Sequence, residues 1–218
     1  MDDTAHQVGE TAHDVDDTTH QTDDTAHPGL GSTSGAYAGP NTGNLWFDSL
    51  ADIPGYHAGV AEGKKLPIPE PQYEYLDHTA DVQIHSWGKN LKAAFEHAAV
   101  ALHGYMTEDV SKIEMKDMHV IEARAQDLES LLFHFLDECL FIFAAQPFFI
   151  ARKFHITRFD EDNFHIKATA FGEQFDLAKH TAGTEIKAIT YSAMQILQKE
   201  LGDENMKHKV EIYVIVDI

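Results

Sequence analysis

Hydrophobic and polar positions alternate regularly only after Tyr73. Val82, Ile84 and Ser86 interleave with Gln83, His85 and Trp87, a period of two that predicts a strand, and Gly88 ends it. The period then lengthens. Leu91, Ala94, Phe95, Ala98 and Leu102 recur at helical spacing behind Asn90, a good N-cap, so an amphipathic helix is expected from Leu91 to about Tyr105. A less regular strand fits Met115 to Ala125. Asp127 is the expected cap of a second helix, with Leu128, Leu131, Leu132, Phe135, Cys139, Ile142 and Phe143 on its inner face and Pro147 beyond its end. Phe133, Leu140 and Phe141 widen that face, as in a central helix covered on more than one side.

Two hairpins follow. Phe154 and Ile156 alternate with His155 and Thr157, Asp160 to Asn163 make a turn, and Phe164, Ile166, Ala168 and Ala170 mark the returning strand. Gly202 to Asn205 predicts another turn, before a last strand with Val210, Ile212, Val214 and Val216 on its inner face. Ala193 to Lys199 fits either helix or strand, and strand is preferred because it completes a hairpin. The expected fold class is α+β, an antiparallel-rich β-sheet packed with two main α-helices.

This pattern sets a domain at residues 73–218 and a low-complexity acidic tail and linker at residues 1–72. An Asp/Glu-Thr-Ala/Thr-His phrase recurs at about seven-residue spacing through residues 1–30, without the apolar pairs a coiled-coil seam needs. Low hydrophobicity and unopposed negative charge predict a disordered N-terminal tail. Its four histidines are a weak divalent-metal candidate. Leu45, Trp46 and Phe47 form an apolar island in the linker, able to dock on the domain or a partner.

A formal net charge of -20 over 218 residues disfavours direct nucleic-acid binding, which depends on Lys and Arg cancelling phosphate charge. A role in RNA biology is expected to run through a protein partner. The single cysteine, Cys139, excludes an intrachain disulfide and reads as a buried small hydrophobe. No membrane span, signal peptide or Arg-rich transit peptide is evident, so a cytoplasmic or nuclear location is expected.

Phosphate loops, dinucleotide fingerprints, Cys-x-x-Cys and His-Glu-x-x-His are all missing from the sequence. Two places carry candidate chemistry. Leu76 to Asp81 gathers polar groups just before a strand: Asp81 is a candidate ligand for a hard cation, and Asp77 or His78 a supporting group or turn former. The alternative is that Asp77 and Thr79 only stabilise a turn. The second place is the end of the sequence, where Asp217 and the main-chain carboxylate of Ile218 are adjacent anions. If Asp81 lies nearby, oxygen-only ligation suits magnesium, calcium or manganese better than zinc; the alternative is a solvated acidic terminus. Lys187 stands in a mostly apolar run, as a surface residue or as a charge aimed at a partner or phosphate. His97, His103, His119 and His134 have no ligand spacing and read as structural or surface groups.

Tyr73 to Val82, Leu131 to Glu138, Lys187 to Tyr191 and Val216 to Ile218 together resemble the archease family, in the phrasing of its animal members and in order across the domain. The resemblance implies the archease fold and no catalysis of its own. It implies an accessory role in tRNA splicing, with a GTP-dependent, manganese-containing RNA-splicing ligase as partner, whose guanylylation and multiple turnover the protein promotes. It further implies a divalent metal cofactor, calcium first with magnesium or manganese possible, held by Asp81, Asp217 and Ile218. Asp77, His78 and Lys187 are then supporting groups or partner contacts. A metal-dependent hydrolase and a general chaperone are the alternatives.

Overall fold

The computed structural model describes residues 55–199 and 208–218. The acidic repeat, the Leu45–Phe47 island and the Gly202–Asn205 turn lie outside the described residues.

The alternation around Val82 builds a hairpin of β1 (Tyr73–His78) and β2 (Asp81–Gly88). Val82, Ile84 and Ser86 are buried on one face of β2, as their spacing requires. α2 (Leu91–Tyr105) starts where Asn90 accepts a hydrogen bond from the Ala93 amide at 2.9 Å. β3 (Asp117–Arg124) follows, and then α3 (Leu128–Ala144), capped by Asp127, which accepts from the Ser130 amide at 2.7 Å. β4 (Phe149–Asp160) and β5 (His165–Gln174) form the second hairpin. β6 (Ala188–Ile189), β7 (Gln195–Gln198) and β8 (Val210–Asp217) complete the chain.

These strands form two sheets rather than one. β3, β5 and β4 make a three-stranded antiparallel sheet. In the larger sheet β8 is central, pairing with β2 on one side and with β6 and β7 on the other, while β1 closes the β2 edge. The strand reading of Ala193–Lys199 holds through the pairing of β7 with β8. α2 packs on β2 and β8 of the larger sheet and on β4 of the smaller; α3 contacts β3 and β4 as well as β6 and β7. The helix pair therefore shares one core with both sheets, filled by Phe95, Leu102, Leu131, Phe135, Ile156 and Val214.

The wide apolar face of α3 is only partly covered. Leu140 is buried, Phe133 is half-buried and stacked on Tyr191 at 4.5 Å, but Phe141 is exposed.

A further helix, α1 (Tyr56–Lys65), forms within the stretch that composition assigns to the linker. Its glycines weigh against a helix by propensity, yet they allow close packing on the smaller sheet. A Cβ at Gly63 would lie 2.1 Å from the Phe171 ring, and one at Gly59 2.7 Å from the Met118 sulfur. The buried Tyr56 donates to Asp117 Oδ1 at 2.8 Å. Lys153 Nζ donates to the Pro67 carbonyl and holds the stretch that leads to β1. Among the described residues, no helix is long and apolar enough to cross a membrane.

Candidate functional site

The two-residue link Thr79-Ala80 sets His78 opposite Asp81 at the end of the β1–β2 hairpin. Ala80 takes φ 64°, a left-handed conformation that residues with a Cβ rarely adopt. The turn is closed by strand register and by the approach of His78 Nδ1 to Asp81 Oδ2 at 3.8 Å. Asp77 pairs with Val82, one position further along. Its side chain therefore projects to the opposite face from His78 and Asp81.

β8 supplies the other half of the site. Val82 lies opposite Val216 in the antiparallel pair of β2 and β8, so the same register sets Asp81 opposite Asp217. Residues in that relation share a face, with Cβ atoms about 4.5–5.5 Å apart. On its far side Asp217 faces Ala188, and the Lys187 amide donates to the Asp217 carbonyl at 2.8 Å. Thr190 stitches the same segment to β8 through two bonds to the Ile215 carbonyl, from its amide at 3.0 Å and its hydroxyl at 2.9 Å. The Lys187 side chain is exposed; Ile218 is half-buried and packs against the core.

Of the predicted site residues, Asp81, Asp217 and His78 thus share one face at one end of the larger sheet, with Ile218 and the Lys187 backbone beside them. Asp77 is adjacent but faces the other way. Among the described residues, no group of three or more His, Cys, Asp and Glu side chains is placed to hold a metal ion. The side-chain carboxylates of Asp81 and Asp217 offer oxygen atoms only, a donor chemistry that fits a hard cation and not zinc.

The archease protein family matches residues 73–218, two thirds of the chain and all of the sheet end just described. The chain belongs to the archease family. It is 55% identical to an archease-like protein of Drosophila melanogaster over 69% of this chain and 93% of the relative. It is 53% identical to an archease of Ictalurus punctatus over 71% of this chain and 90% of that protein. A solution structure of a Methanobacterium thermoautotrophicum protein matches at 32% identity and a TM-score of 0.56, covering 68% of this chain and 100% of that one. The four phrases that carried the resemblance fall on the β1–β2 hairpin, on α3, around β6 and at the end of β8.

The archease sheet also carries a polar network that sequence reasoning missed. His85 bridges two strands beside its own: Nδ1 meets Glu74 Oε1 of β1 at 2.8 Å and Nε2 meets Glu211 Oε2 of β8 at 3.3 Å. The Tyr213 ring stacks on the imidazole at 4.2 Å, and its hydroxyl donates to Glu211 at 3.0 Å. Burial pushes the Glu211 carboxyl up, but the Tyr213 hydroxyl, the His208 amide and His85 outweigh it and hold its pKa below the ordinary range. Burial and the bond to Glu211 push the Tyr213 hydroxyl up to about 12. This network clamps β1, β2 and β8 together on the face that carries Asp81 and Asp217. The only signal in the sequence was His85 at a polar position of an alternating strand, which does not reveal its partners.

Proposed function

We propose that this archease is a non-catalytic accessory factor for a GTP-dependent, manganese-containing RNA-splicing ligase in tRNA splicing, promoting guanylylation of the ligase and its multiple turnover. The reading is supported above all by the register of β2 and β8, whose Val82–Val216 pair leaves Asp81 and Asp217 at the next positions of adjoining strands. These three residues would hold a divalent cation, calcium ahead of magnesium or manganese, whose charge cancels the repulsion between them. Asp81 would then fasten the β1–β2 turn to β8, making a rigid acidic tip. His78 and the Lys187 side chain flank the tip and would meet the partner.

The net charge of -20 suits a tip that enters a basic RNA-binding cleft better than a surface that captures RNA itself. Asp81, Asp217 and Ile218 would act through shape and charge, reorganising the ligase's nucleotide pocket or its metals. The test is ligase guanylylation with the archease present, comparing wild type with Asp81→Asn, Asp217→Asn and a C-terminally extended chain. Stimulation by wild type and its loss in all three variants supports the reading. Full stimulation by the extended chain sinks the role of the Ile218 carboxylate. Turnover of a substrate by the archease alone would favour a hydrolase, and protection of unrelated clients a general chaperone.

A further inference from the structure

A cleft of about 530 Å³ opens at the other end of the larger sheet, where β2 runs into α2. Its volume lies within the range of small-molecule sites, roughly 300–1,000 Å³. It is about 20 Å from the acidic tip, since six residues of β2 at about 3.3 Å each separate Asp81 from Trp87. Gln72, Trp87, Lys89, Glu96, His97 and the His208-Lys209 pair line it.

Three features of the lining point to one ligand chemistry. Trp87 and His208 stack with ring centroids 4.7 Å apart and planes 18° from parallel, which makes an aromatic wall. Lys89 and Lys209 are exposed at the rim, a local concentration of positive charge in a strongly acidic chain. His97 is 6% exposed and borders the cleft. Glu96 uses Oε1 to accept the Ile156 amide at 2.7 Å, which leaves Oε2 for another donor.

We propose that this cleft is a binding site for a purine nucleotide. The base lies against the Trp87–His208 wall, with its polar edge on His97 and Gln72. Lys89 and Lys209 meet the phosphates, and Glu96 accepts from a ribose hydroxyl. An aromatic wall explains a planar ring, the lysines explain an anion, and His97 and Glu96 explain the polar groups between them. The global charge opposes a long polyanion, which favours a mononucleotide over an RNA strand. The site is separate from the acidic tip and stands whether or not that tip engages a ligase.

The test is titration of the full-length protein with ATP and with GTP, by calorimetry and by tryptophan fluorescence. Trp46→Phe leaves Trp87 as the one indole. Saturable binding that quenches Trp87 is expected. It should weaken about tenfold or more in the Lys89→Glu, Lys209→Glu double variant, whose exposed side chains leave the fold intact. His97→Phe, checked by thermal melting, should weaken it too, and Asp217→Asn should leave it unchanged. Adenosine and pyrophosphate, each carrying half of the chemistry, should bind more weakly than either nucleotide. No saturation at millimolar nucleotide, equal binding by the lysine variant, or pyrophosphate binding as tightly as ATP would each overturn the assignment.

Discussion

Substituting His103 by phenylalanine keeps a ring in the core but removes two hydrogen bonds that join separate elements. The buried imidazole donates from Nε2 to the Cys139 carbonyl of α3 at 2.8 Å, and its Nδ1 accepts the Ala151 amide of β4 at 3.1 Å. Nδ1 can accept only while it carries no proton, so the ring is neutral. Leaving the Ala151 amide unpaired costs about 1–3 kcal/mol, and losing the bond to Cys139 about 1 more, so a loss of roughly 2–4 kcal/mol is expected at neutral pH. The pH dependence provides a second readout. Burial lowers the His103 pKa from 6.5 to about 4. The unfolded chain therefore binds the proton more readily between those values. The stabilisation is complete above the unfolded value and is lost as pH falls through that window. At about 1.4 kcal/mol per pH unit, the window is worth ~3 kcal/mol. His97, His119 and His155 are also lowered by burial and act in the same direction, so the wild type must be compared with the variant. Urea unfolding at about pH 7.5 should show the full difference, which should narrow by ~2 kcal/mol at about pH 4.5. A difference that stays constant between the two conditions would refute the neutral-bridge account.

Three more outcomes follow from other parts of the molecule. Calcium at a hundredfold excess over its dissociation constant should stabilise the wild type by about 2.7 kcal/mol; the resulting rise in Tm, read by differential scanning fluorimetry, should vanish in Asp217→Asn. Gly172→Ala would place a Cβ 1.9 Å from the Ile150 carbonyl oxygen. Because backbone must move, a loss of ~3 kcal/mol is expected in chemical denaturation. Cys139 is fully buried, and burial raises its thiol pKa well above the ordinary value. A colorimetric thiol reagent at neutral pH should therefore label it only after denaturant is added, and rapid labelling of the native protein would contradict the packing of α3.

What the sequence revealed was mostly local. Asn90 and Asp127 announce their helices because an N-cap needs only a neighbour three residues away. Alternation along Val210–Val216 tells which face is buried, but not that β8 lies between β2 and the β6–β7 edge. That pairing depends on distant segments, so the resemblance to a family named Asp81 and Asp217 together before any periodicity could. α1 stayed hidden because Gly59 and Gly63 argue against a helix until the surface they approach is known. Asp77 looked equivalent to its neighbours in sequence, yet one step along a strand turns it to the other face. The His85 network shows the same limit, since its partners come from two other strands, β1 and β8.

The central claim is that the acidic end of the larger sheet works on a partner ligase. Its most direct test is multiple-turnover RNA ligation by the partner ligase, with wild-type protein and with folded Asp81→Ala and Asp217→Ala variants. The account predicts that substoichiometric ligase keeps turning over with wild type, and stops after about one round with either variant. Sustained turnover with both variants, or none with wild type, would contradict it.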